Sequence, residues 1–142
     1  MRITTTVARW VVGVTGVTQV AVGLLFWAGR AYAFVPFHMA VGLAFVLAVW
    51  TLAALAALAG VRRGLVAIGA LWGIVVLALG MTQGRLLPGP AHWVVKLLHL
   101  LVGIAAMALA ARLTAEIRQR IGAAPSPGPE RARPERLAVP GD

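Results

Sequence analysis

Two histidines stand inside long apolar stretches, each followed four residues later by glycine: His38-Met39-Ala40-Val41-Gly42 and His99-Leu100-Leu101-Val102-Gly103. The second copy lies 61 positions after the first. An ionisable side chain is costly in hydrocarbon, so an imidazole there is a functional-site candidate. Residues i and i+4 share one face of a helix, so Gly42 and Gly103 are expected to leave a flat gap beside each ring. Paired neutral imidazoles beside such gaps suit a planar metal cofactor, above all haem, whose iron accepts imidazole in its axial positions.

The neighbours of His99 extend the pattern. His92, Lys96, His99 and Gly103 follow i, i+4, i+7, i+11 spacing and fall on roughly one helix face. No carboxylate in residues 1–115 can pair with Lys96. It either snorkels to the membrane interface or meets an anion from outside the chain, such as a haem propionate, with Arg30 and Arg85 at the same edge. His92 stands in Pro90-Ala91-His92-Trp93, where an interfacial His-Trp pair needs no special role. It could also replace His99 as a ligand, or hydrogen-bond a propionate or a quinone, with Gln83 as a further polar contact. A compact three-histidine zinc or copper site is disfavoured, since His92 and His99 lie roughly 10 Å apart along one helix axis.

Composition removes most rival chemistry. The acidic residues are Glu116, Glu130, Glu135 and Asp142, so residues 1–115 carry no carboxylate side chain. Carboxylate proton relays, carboxylate metal cages and Asp/Glu acid–base catalysis are excluded there. With no cysteine, disulfides, iron–sulfur clusters and covalent haem attachment within the chain are excluded too, so a haem would be of the b type. The formal net charge of +9 sits at helix ends and in one tail, where anionic lipid headgroups attract it. No basic face or nucleic-acid motif accompanies it, and nucleic acid is not an expected partner.

These residues need elements to hold them. The chain is 61% hydrophobic, against about 45–50% in soluble domains. Four apolar segments, about 7–28, 35–59, 64–83 and 91–113, each reach the roughly 20 residues a membrane span requires. The last continues as an amphipathic extension to 121, with Leu113, Ile117 and Ile121 at helical spacing. Short links (29–34, 60–64 and 84–90) force successive helices antiparallel. The expected fold is an all-α membrane protein, an antiparallel up-down bundle of four transmembrane helices in one domain over 1–121. Residues 122–142, rich in proline, are expected to form a disordered cytoplasmic tail.

Arg2, Arg9, Arg62, Arg63, Arg112, Arg118 and Arg120 gather on one side, against Arg30 and Arg85 on the other. The positive-inside rule then places both termini in the cytoplasm, in a bacterial-type inner membrane, and both repeated histidines in the outer half of the bilayer. A signal peptide cleaved after Ala31-Tyr32-Ala33 is a competing reading of helix 1. The run from Trp10 to Trp27 is long for one and contains Gln19.

The histidine repeat predicts a 2+2 internal duplication with its axis along the membrane normal, which puts helices 2 and 4 diagonally opposite and His38 facing His99. Glycines at 69, 73, 80 and 84 in helix 3, and at 16 and 23 in helix 1, predict close packing between those two helices.

Paired His-x-x-x-Gly segments in a small four-helix membrane bundle resemble b-type cytochromes of the cytochrome b561-like kind, over about residues 37–45 and 92–105. The chain also looks like small bacterial four-helix membrane proteins. Larger members of the cytochrome group carry four ligand histidines for two haems, whereas three histidines here permit one bis-histidine haem. The resemblance implies electron transfer, involving a quinone, a redox partner or subunits of a membrane complex, with His38 and His99 as axial ligands. The alternative readings are a cofactor-free membrane scaffold or accessory subunit, or a small transporter. No nucleophile with an adjacent base, phosphate loop or dinucleotide fingerprint points to an enzyme.

Overall fold

The computed structural model describes residues 1–122, so the expected tail lies outside the described residues. Four helices account for nearly all of them: α1 (Arg2–Trp27), α2 (Val35–Leu58), α3 (Arg63–Thr82) and α4 (His92–Gly122). Each is long and apolar enough to cross a membrane, and there is no strand among the described residues.

Helix α1 begins at Arg2, five residues before the apolar run. The polar start joins the helix because Thr5 and Thr6 donate their hydroxyls to the carbonyls of Met1 and Arg2, both at 3.0 Å. Such back-bonding satisfies a hydroxyl without water. Helix α4 is continuous through the amphipathic extension, whose Leu113 and Ile117 are fully buried.

Two helices end on the same motif. After α2, the Val61 N–H donates to the Ala56 carbonyl (2.9 Å) and the Gly60 N–H to the Ala57 carbonyl (3.1 Å). Gly60 is left-handed, with φ +71°, and Val61 is buried. This is a Schellman cap with its hydrophobic contact. After α1, Arg30 and Gly29 make the equivalent bonds to Leu25 and Phe26.

The helices form a square in chain order. Contacts join α1 to α2, α2 to α3, α3 to α4 and α4 back to α1, and α2 also meets α4 across the diagonal. Helices α1 and α3 make no comparable contact, which overturns the expected packing between them. The α3 glycines serve other neighbours: a methyl on Gly73 would collide with the Trp50 indole of α2, and one on Gly69 with Leu113 Cδ1 of α4. Gly16 of α1 is filled by Met107 of α4. Glycine lets helices approach closely, but which helix approaches depends on rotation about the axis, which glycine spacing does not encode.

The core is lopsided. Its buried side chains are Ala8, Val12, Val61, the stretch of α2 from Phe45 to Ala56, and Ala106, Ala110, Leu113 and Ile117 of α4. All lie toward the end that holds the α2–α3 link. Two indoles lace the helices together: Trp50 donates to the Ala70 carbonyl and Trp72 to the Val102 carbonyl, each at 3.0 Å. At the opposite end Val95 is the one buried hydrophobic residue among those described, and there the bundle opens.

Candidate functional site

The open end contains a cavity of about 260 Å³, open on one side and lined by all four helices. Along α4 its wall runs from His92 to Met107, roughly 22 Å of helix axis. His38 of α2 and His99 of α4 meet inside it, with ring centres 6.4 Å apart and planes at 54°. The diagonal contact between α2 and α4 brings them together.

Each imidazole rests against a glycine of the preceding helix. The ideal Cβ position of Gly23 (α1) lies 3.9 Å from His38 Cε1, and that of Gly80 (α3) lies 3.4 Å from His99 Cε1. The glycines in contact with the rings are therefore Gly23 and Gly80; of the two expected to leave a gap, Gly103 does and Gly42 does not. Gly42 lies under the Gln19 amide, whereas Gly103 faces open space in the cavity wall. Phe26 closes one side of His38 edge-on at 5.3 Å and stacks on Tyr32 at 6.1 Å.

Three buried side-chain polar atoms lack a hydrogen-bond partner among the described residues: Gln19 Oε1, His38 Nδ1 and His99 Nδ1. All three belong to this cavity. Leaving such an atom unpaired costs about 1–3 kcal/mol, so the three together mark a place where the fold does not satisfy its own polar groups. With Nδ1 of each ring enclosed by protein, Nε2 is the nitrogen left to meet a ligand.

The remaining candidates sit at the mouth. Lys96, His92, Gln83 and Tyr32 line it. The His92 Nδ1–H donates to the Leu86 carbonyl at 3.1 Å, fixing the α3–α4 link. Lys96 is half-buried in the wall, with no carboxylate anywhere in residues 1–115 to neutralise it.

Chemically the pair offers two imidazole nitrogens and one ammonium. Among the described residues no three His, Cys, Asp or Glu side chains cluster, so a bare ion would be short of the four ligands that zinc takes. Gln19, Gly23, Phe26 and Gly80 were missed as site residues from sequence. Gln19 had a signal, as the single amide in the first apolar run; the others become visible only through contacts between helices. Comparison of the chain with known families, curated proteins and solved structures finds no match.

Proposed function

We propose that this chain is a multi-pass membrane b-type cytochrome that holds one haem between His38 and His99 and passes electrons. The observation that carries the reading is what the two histidines fail to do. A structural histidine in a membrane bundle bonds to a neighbouring helix, as Trp50 and Trp72 do here. His38 and His99 make no such bond, yet they meet each other. That counts against the scaffold reading, in which both would be packing groups.

The donor set, two imidazoles with no third ligating side chain clustered among the described residues, would suit a haem better than a bare metal ion. Imidazole nitrogens about 2 Å from a shared metal put two ring centres roughly 6 Å apart, close to the 6.4 Å observed. Gly103 and Gly23 leave room beside the rings. The cavity encloses about 260 Å³ and is open on one side, so a group larger than that volume would be admitted through the opening. When bound, the haem supplies one-electron redox chemistry.

The protein's part is to hold and tune. His38 and His99 would hold the iron through Nε2 as neutral ligands. Lys96 would pair with a carboxylate of the bound group at the mouth, and His92 holds the α3–α4 link there through its bond to the Leu86 carbonyl. Phe45, Val76 and Met107, which line the inner end, keep water out. The arginines around the α2–α3 link and the helix termini favour the cytoplasmic side of a bacterial-type inner membrane for that end. The site then faces the outer half of the bilayer, within reach of a quinone or a redox partner.

Purified protein expressed with haem available is expected to show a reduced-minus-oxidised b-type spectrum. His38→Ala and His99→Ala each abolish it, while His92→Ala largely spares it. A stable, colourless wild-type preparation sinks the reading, and loss with His92→Ala but not His99→Ala moves the second ligand to His92.

A further inference from the structure

Helices α1 and α2 run antiparallel with a register that places one unsatisfied polar atom beside another. Gly23 of α1 abuts His38 of α2, and one turn away Gln19 of α1 abuts Gly42 of α2. Gln19 and His38 are therefore diagonal neighbours in a four-residue square. Gly42 supplies the space for the Gln19 amide, since a methyl there would collide with Gln19 Nε2. Within this square Gln19 Oε1 and His38 Nδ1 are both buried and both without a partner.

The two atoms are complementary. An amide oxygen only accepts, and an imidazole Nδ1 bearing hydrogen donates. The terminal torsion of glutamine is soft, so a rotation that needs no backbone movement lets Oε1 turn toward the ring. Competing acceptors are few: Phe26 offers none, the only other aromatic ring against His38 is the His99 imidazole with one acceptor nitrogen, and no carboxylate exists in residues 1–115.

We infer that Gln19 is the positioning residue of His38, accepting a hydrogen bond from its Nδ1–H and so turning the Nε2 lone pair to the cavity. A ligating histidine commonly donates its other ring N–H to an outer acceptor, which fixes the tautomer and raises the basicity of the ligating nitrogen. His99 packs instead against Gly80, and the residue of α3 one turn further into the cavity, the counterpart of Gln19 on α1, is Val76, which offers no acceptor. The two halves of the site are thus unequal, with His38 the more strongly held ligand.

The tautomer part of this inference stands without the haem reading, and only its second arm rests on it. In the first arm the full-length, haem-free protein is labelled with ¹⁵N-histidine in detergent or nanodiscs, with His38 signals assigned through His38→Asn. Wild-type His38 is expected as the Nδ1–H tautomer. Gln19→Met, close to glutamine in size and shape, is expected to convert it to a mixture while leaving the His99 signals in place. Gln19→Glu, which retains an acceptor, restores Nδ1–H. In the second arm the haem-loaded protein is titrated redox-potentiometrically. Gln19→Met raises the midpoint potential and weakens haem retention on the order of tenfold, and Gln19→Glu lowers the potential. An unchanged His38 tautomer in Gln19→Met, or equal shifts at His38 and His99, overturns the inference. If wild-type protein binds no haem, the proposed function fails while the first arm still decides the role of Gln19.

Discussion

Gly73 and Gly103 occupy interior positions of transmembrane-length helices, and the same substitution at each is predicted to act with opposite sign. Replacing helix-interior glycine by alanine removes chain freedom from the unfolded state and gains about 0.5–1 kcal/mol where the methyl has room. At Gly103 it has room, because nothing lies within 4 Å of the ideal Cβ. Gly103→Ala should therefore stabilise by about that amount. At Gly73 the methyl meets the Trp50 indole, including Cδ1 at 2.9 Å. That ring is fixed by its bond to the Ala70 carbonyl, so it cannot yield as a flexible chain end would. Overpacking of this kind costs about 1–3 kcal/mol, and losing the interhelical hydrogen bond adds roughly 0.6–1.7 kcal/mol. Set against the same helix gain, Gly73→Ala should destabilise by about 1–4 kcal/mol. Unfolding of the full chain in mixed micelles, followed by far-UV circular dichroism, gives both values. Equal signs for the two variants would refute the assignment of one glycine to a helix contact and the other to a cavity wall.

Gly103→Leu places a side chain in the slot and is expected to abolish haem binding without loss of helicity, read by absorption and circular dichroism on one sample. Lys96→Met should weaken haem retention about tenfold, the range for one charge-assisted hydrogen bond, and transfer to apomyoglobin measures it. Gly60→Ala forces a side chain into φ +71° and should lower stability by about 1 kcal/mol, visible as an earlier unfolding transition.

Much of the framework was legible in the residues. Segment lengths and hydropathy located four helices, and Gly29 and Gly60 located two of their ends. Boundaries moved where local bonds outweighed polarity, as at Thr5 and Thr6, whose hydroxyls are satisfied within the first turn. The repeat pointed to His38 and His99, and the structure places their rings beside each other. Of its two glycines, Gly103 borders the open space and Gly42 is covered by Gln19; the glycines that touch the rings come from the neighbouring helices, which i, i+4 spacing along one helix cannot identify. Glycine richness likewise suggested that α1 packs on α3. Rotation of each helix about its axis sent those glycines toward Met107, Leu113, Trp50 and His99 instead.

The sequence by itself determined which chemistry is possible: two imidazoles within long apolar segments, one lysine, no thiol, and no carboxylate before Glu116. Those are properties of residue type and survive any arrangement of the helices. The tertiary structure alone decided that one end of the bundle is packed while the other holds a cavity. It also decided that α2 and α4 touch across the diagonal and that Gln19 shares a square with His38. The physical reason is that each helix carries an apolar surface nearly all round, as a membrane segment does. Periodicity then cannot say which side faces which neighbour, and shape complementarity between helices has to choose.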